Sequence, residues 1–315
     1  MKRFFLLFAI VTVAASCSSI ERREAPVRQG YDDALYGDVE SVTVEEFQYN
    51  GRPLEGTTLK PSRTEHYTFN EAGDLKELKY NDVYDGVKAR KRADYNAEGR
   101  LVQLQTYIGN AMAWRVRYKY DDQGRVVEEV YYDAEENSNS KYLYTYNEQG
   151  DMVQSQLFEN DKLSATKHYK YNDKSQEVEF EMRYADGTLK IKELITYDKR
   201  GNVVEKSYHY VDYSEEDIRT VYEYDKRGNL VKSSHYDLQG ASQGNVVKTY
   251  DEFDNLIEHA EYRGDGKLDF KIVMKYDDQG NQIERVHYRG RDQNPQTVVR
   301  TTIQYRETAT PEAEK

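Results

Sequence analysis

One short passage of sequence recurs along the whole chain. Aligned on the second aromatic position of a Y-x-Y triplet, its copies fall at Phe69, Tyr95, Tyr120, Tyr146, Tyr171, Tyr197, Tyr224, Tyr250 and Tyr276, spaced 25 to 27 residues apart. A period of this length marks a repeat architecture, in which each copy buries its apolar face only by stacking on its neighbours. A weaker partial copy ends at Tyr305, and "YGDVESVTVEEF" (36–47) reads as the second half of a unit placed first.

Each copy reads as a β-hairpin. The aromatic strand is followed by Asp or Asn, two polar residues and a glycine, then a return strand of about eight residues. The Asp or Asn bonds the backbone ahead of it and the glycine accepts positive φ. Gly73, Gly99, Gly124, Gly150, Gly201, Gly228 and Gly280 occupy that fourth position. Ser175 and Asp254 replace it in two units, which are expected to have the most distorted turns. Connections on the other side ("YDAEENSNSKY", "YDLQGASQGNV") share no text, and all five prolines avoid the repeated strands. Nine units and two halves give about twenty strands, or roughly 90 Å of antiparallel meander. The expected fold is all-β, a repetitive hairpin meander forming an elongated, curved or spiralling sheet. Its edge strands invite self-association.

Composition agrees with thin, half-wet sheets. Only 37% of residues are hydrophobic, and tyrosine (30) far outnumbers phenylalanine (9). A tyrosine ring covers a sheet while its hydroxyl reaches water. The first residues have a different character. Lys2 and Arg3 precede an apolar run from Phe4 to Ala15 that is too short to span a bilayer. Ala14-Ala15-Ser16 then precedes Cys17, the single cysteine. This resembles a bacterial lipobox with Ala14 in place of the usual leucine. It implies a signal peptide (1–16), a lipidated Cys17 and a tether (17–35), the repeat domain (36–305) and a disordered tail (306–315). Losing residues 1–16 removes Lys2 and Arg3 and moves the formal charge from −12 to −14. Such acidity disfavours nucleic acid as a partner, and leaves the lipid to hold the protein at a membrane.

The pattern Y-x-Y-[DN]-x-x-G-[RN]-[LV]-V resembles the YD repeat of the RHS family, over residues 67 to about 305. The resemblance implies repeats coiled into a β-sheet shell. Long members enclose a C-terminal toxin, whereas only "RETATPEAEK" follows Tyr305, so toxin delivery is not expected. Small acylated YD-repeat proteins resemble envelope lipoproteins of Bacteroidota, which points to an outer-membrane lipoprotein, periplasmic or surface-facing.

Few residues point to chemistry. "GASQG" (240–244) matches a nucleophile elbow around Ser242 but falls in a variable loop without the helix an elbow needs. His235, His259 and His287 share a strand face by alternation, without ligand-type spacing. Asp121-Asp122 and Asp277-Asp278 read as solvated turns rather than calcium loops. Aromatic rows are the remaining candidate, with Tyr107, Tyr132, Tyr236, Tyr262 and Tyr288 closing the return strands and able to stack on sugars or a protein partner. The expected function is a non-enzymatic, membrane-anchored interaction or scaffold module needing no cofactor or metal. A glycan-binding lipoprotein is the alternative, and a hydrolase a distant third.

Overall fold

The computed structural model describes residues 28–31, 35–211 and 218–307. The expected signal peptide, the expected lipidation site Cys17 with the tether up to residue 27, and the expected tail from residue 308 lie outside the described residues.

Twenty strands follow in chain order. Strands β1 to β5 are Val39–Gln48, Arg63–Phe69, Leu75–Asp82, Lys88–Tyr95 and Leu101–Ile108. Strands β6 to β10 are Ala111–Tyr120, Val126–Asp133, Ser138–Tyr146, Met152–Glu159 and Lys162–Tyr171. Strands β11 to β15 are Glu177–Tyr184, Leu189–Tyr197, Val203–Tyr210, Ile218–Tyr224 and Leu230–Tyr236. Strands β16 to β20 are Ser242–Tyr250, Leu256–Arg263, Leu268–Tyr276, Gln282–Arg289 and Thr297–Tyr305. Each is antiparallel to its chain neighbours, and β20 pairs with β1 from Val39↔Tyr305 to Gln48↔Thr297. The hairpin meander read from the sequence is present, but it closes into a barrel instead of running on as a spiralling sheet. The two strands that would have been edges pair with each other.

The tight turns explain the repeated text. In the β6–β7 turn the Gly124 N–H donates to Asp121 O at 3.0 Å, and the Arg125 N–H donates to Asp121 Oδ1 at 2.9 Å. The seven glycines at this place have φ between +75° and +93°, a region that side chains with a Cβ rarely adopt. Ser175 (φ +55°) and Asp254 (φ +67°) adopt it too. Their N–H groups still donate to Asn172 O (3.0 Å) and Asp251 O (3.3 Å). Those turns keep the hydrogen bond but depart most from the common shape, as the sequence leads one to expect: both φ values fall below the glycine range and the Asp254 bond is the longest of the set, so they carry backbone strain.

The two terminal half-units are one unit split between the chain ends. In the β18–β19 turn, the Asp277 N–H donates to Asn281 O at 2.9 Å and Gly280 has φ +91°. Across the closing seam, the Arg306 N–H donates to Asp38 O at 2.9 Å and Gly37 has φ +86°. The bulge that places Gln282 opposite Tyr276 recurs with Val39 opposite Tyr305. Strands β20 and β1 thus make a tenth hairpin whose turn is assembled from residues 305–306 and 37–38.

Strand alternation then sorts side chains onto two faces. Tyr118 is opposite Glu129 and Val116 opposite Tyr131 on one face; Lys119 is opposite Glu128 and Arg117 opposite Val130 on the other. The same alternation passes through every pairing and across the seam. On the face bearing the Y-x-Y rings, burial pushes the hydroxyls of Tyr118, Tyr131, Tyr144 and Tyr169 upward in pKa. On the other face, the side chains of Lys119, Lys170 and Lys275 are 72%, 68% and 68% exposed. A closed wall crowds side chains on its concave side and splays them on its convex side. The face bearing the Y-x-Y rings therefore lines the lumen, and the face bearing the exposed lysines is the outside.

Adjacent units are laced together by the second tyrosine of each triplet. Its hydroxyl donates to the carbonyl that begins the previous return strand: Tyr95 to Leu75, Tyr120 to Leu101, Tyr146 to Val126 and Tyr171 to Met152. Tyr197, Tyr224, Tyr250 and Tyr276 repeat the bond to Glu177, Val203, Leu230 and Leu256. All eight are 2.6 to 3.0 Å long.

The seam is packed from both sides. Inside, Leu35, Val39, Val42 and Phe69 are buried together with Tyr31, Tyr67, Ile303 and Tyr305 against them. Outside, Phe47, Tyr49, Val286 and Val298 form a second cluster with Leu59 and Tyr288. Residues that the sequence assigned to the tether contribute here. Arg28 donates to Gly73 O (2.7 Å) and Gly37 O (2.8 Å), and the Gln29 side chain donates to Gly99 O (2.8 Å) while accepting from the Leu101 N–H (2.8 Å). This strap therefore belongs to the folded body, because it supplies partners to the turn rim. At the other terminus Arg306, which the sequence assigned to the tail, donates to Asn70 O at 2.6 Å and so belongs to the folded body.

Candidate functional site

The inner wall is the concave surface with the most varied chemistry. On β6, β7 and β8 it carries Tyr118, Glu129, Tyr131, Tyr142 and Tyr144, placed on one face by the pairings Tyr118↔Glu129 and Glu129↔Tyr142. Tyr131 and Tyr142 meet edge-on at 5.8 Å, and Tyr142 and Tyr144 lie parallel at 6.4 Å. The Tyr131 hydroxyl donates to Glu129 Oε2 at 3.2 Å. Burial pushes the Glu129 carboxyl above the ordinary carboxylate range, against hydrogen bonds from Tyr131 and Tyr144 that pull it down. The rings are only half-buried, so part of each stays open to solvent. Trp114, the single tryptophan, shares this face opposite Thr106.

Several other inward carboxylates have cationic neighbours within 4 Å. Glu46 faces Arg63 at 2.9 Å, Glu65 faces Arg63 at 3.4 Å, and Glu193 faces Lys206 at 2.7 Å. Glu193 also accepts from Tyr208, whose hydroxyl is pushed up chiefly by burial. Glu261 lies 3.1 Å from His259.

The aromatics singled out from the sequence sit elsewhere. Tyr107, Tyr132, Tyr236, Tyr262 and Tyr288 are opposite Arg90, Arg115, Arg219, Asn245 and Lys271, on the outer face. Cations cover four of them: Arg90 lies 4.6 Å above Tyr107, Arg115 and Arg117 above Tyr132, Arg219 at 6.0 Å above Tyr236 and Lys271 at 5.4 Å above Tyr288. These rings serve as platforms for cross-strand cation–π contacts. The inner-wall residues are not singled out by the sequence: alternation from the Y-x-Y triplet puts them on one face but does not say which face is concave.

The three histidines do share a face, the inner one, and each has a local partner or cause. His235 Nδ1 is 3.0 Å from Thr220 Oγ1, and His259 stacks on Phe270 at 5.9 Å. Burial and Arg285 push His287 below its ordinary pKa. Ser242 begins β16 opposite Tyr236 and is exposed, with no strand-to-helix turn around it. Gly244 is needed for backbone approach, since a Cβ there would lie 2.3 Å from Tyr262 O. The turn carboxylates are used locally: Arg125 and Gln123 N–H groups hold Asp121 below its ordinary pKa, the Arg125 N–H foremost. Asp277 accepts from the Tyr305 hydroxyl at 2.8 Å.

No family model matches the sequence, and no curated protein is similar to it. Solved structures are similar in part. A crystal structure of TcdB2-TccC3 without its hypervariable C-terminal region matches at TM-score 0.40 and 11% identity, over 75% of this chain. The chain spans only 14% of that structure's length. A porin-like protein from Bacteroides uniformis matches at TM-score 0.39 and 11% identity, over 84% of this chain and 96% of that one.

Proposed function

We propose that this is a non-enzymatic binding protein of the bacterial cell envelope, tethered through Cys17, that receives its partner on the tyrosine-lined inner wall. The observation that carries the reading is the contrast between the two faces: inside, half-buried tyrosine rows among a few carboxylates; outside, a lattice of exposed charges whose tyrosines are largely covered by cations. The outer wall carries Arg115, Arg117 and Lys119 on β6 and Glu179, Glu181 and Arg183 on β11. A barrel wall set in lipid carries an apolar band there, and each Lys or Arg at mid-depth costs about 2–4 kcal/mol. These charges support a wall that faces water, with the protein held at the membrane through its N-terminal lipid.

A glycan is the favoured second description of that partner, because tyrosine rings at regular spacing along a concave wall match the apolar faces of successive sugar rings. The test is Trp114 emission in protein beginning at residue 18, titrated with a panel of oligosaccharides. A shift is expected, with an affinity that Tyr142→Ala weakens at least tenfold and that the outer-face variant Tyr236→Ala leaves unchanged. Loss through Tyr236→Ala with Tyr142→Ala unaffected would place binding outside and overturn the reading.

A further inference from the structure

Glu129 differs from the other inward acids described above. Glu46, Glu65, Glu193 and Glu261 each lie within 4 Å of an Arg, Lys or His. Among the described residues no such ion pair includes Glu129. Its surroundings are phenol rings: Tyr118 directly across on β6, Tyr142 directly across on β8, Tyr131 two residues along its own strand, and Tyr144 beside Tyr142. The Tyr131 hydroxyl satisfies one oxygen at 3.2 Å but brings no positive charge. A carboxylate turned into a partly desolvated wall is costly without a counter-charge.

We propose that Tyr118, Glu129, Tyr131, Tyr142 and Tyr144 form a binding site for an organic ammonium group, with the rings contacting its alkyl shell and Glu129 supplying the neutralising charge. The inference deepens the inner-wall reading at one place and rests on it. Aromatic faces attract cations through their quadrupole, most strongly where water is partly excluded. A carboxylate beside them adds the long-range term that a ring cage alone lacks. A metal ion is a poor fit, since phenol rings offer faces rather than the several oxygen ligands that hard cations require. An ammonium group carried on a larger ligand needs only a surface of this kind.

The test compares choline with 3,3-dimethylbutan-1-ol, its neutral isostere, by calorimetry and by Trp114 emission. Choline is expected to bind at least tenfold more tightly, and Glu129→Gln is expected to remove that preference while leaving the weak binding of the alcohol. Glu193→Gln, at an inward acid already paired with Lys206, should leave choline binding unchanged. Thermal melts of both variants verify that they fold. Equal affinity for the two probes, or choline binding that survives Glu129→Gln, would overturn the proposal. Glycan binding with no choline preference would sink this site while sparing the inner wall as the binding surface.

Discussion

At the scale of single residues, the repeat is enforced by backbone conformation more than by side-chain chemistry. Ser175 sits at φ +55° in a turn where seven of its eight counterparts are glycines. Its hydroxyl donates to Asp151 Oδ2 at 3.0 Å, an exposed bond that offsets little of the strain. Ser175→Gly is expected to stabilise the protein by about 0.5–1 kcal/mol, read as a raised denaturant midpoint with unchanged slope. The turn glycines were legible in the sequence because the requirement for positive φ acts on residue identity directly. The inner-wall cluster was not, because Tyr118, Tyr131 and Tyr132 are chemically alike and only the direction of sheet curvature decides which face is concave. Glu129 was hidden by the same ambiguity among 57 acidic residues.

At the scale of elements, nine of the ten hairpins are local and could be read one at a time from the periodic text. The tenth joins Tyr305 and Arg306 to Gly37 and Asp38. Its two halves were recognisable as fragments, yet nothing in either fragment states that the other is its partner. What completes them is register: the same bulge, the same turn bond and the same positive-φ glycine as in the intact units. A strict consequence is that the position of the chain break is arbitrary. A permutant joining residue 306 to residue 37 through a two-residue turn, with new ends in the exposed β3–β4 loop at residues 85 and 86, is expected to fold. It should give the same circular dichroism and a melting temperature within a few degrees of the parent. It would lose the strap formed by Arg28 and Gln29, so that segment is carried on a new N-terminal extension in a second permutant. Failure of both permutants to fold would contradict the split-unit reading.

At the scale of the whole molecule, closure turns a repetitive ribbon into a vessel with a tyrosine-lined inside and a charged outside. The repeats fix neighbour contacts, and those are compatible with an open spiral as well as a ring. The decision rests on the seam, where Val42 and Val298 are fully buried on opposite faces, each contributing about 1.5–3 kcal/mol of burial. Closure also removes both free edges, which would otherwise template association between chains. The most direct measurement is a disulfide across the seam. Ser41 Oγ and Gln304 Oε1 are 2.7 Å apart although 263 residues separate them. In protein beginning at residue 18, which contains no other cysteine, Ser41→Cys with Gln304→Cys should oxidise rapidly to an intramolecular bond, giving a faster-migrating monomer at all protein concentrations. Thiols that stay free, or that link only between molecules as concentration rises, would show β1 and β20 apart and contradict the closed barrel.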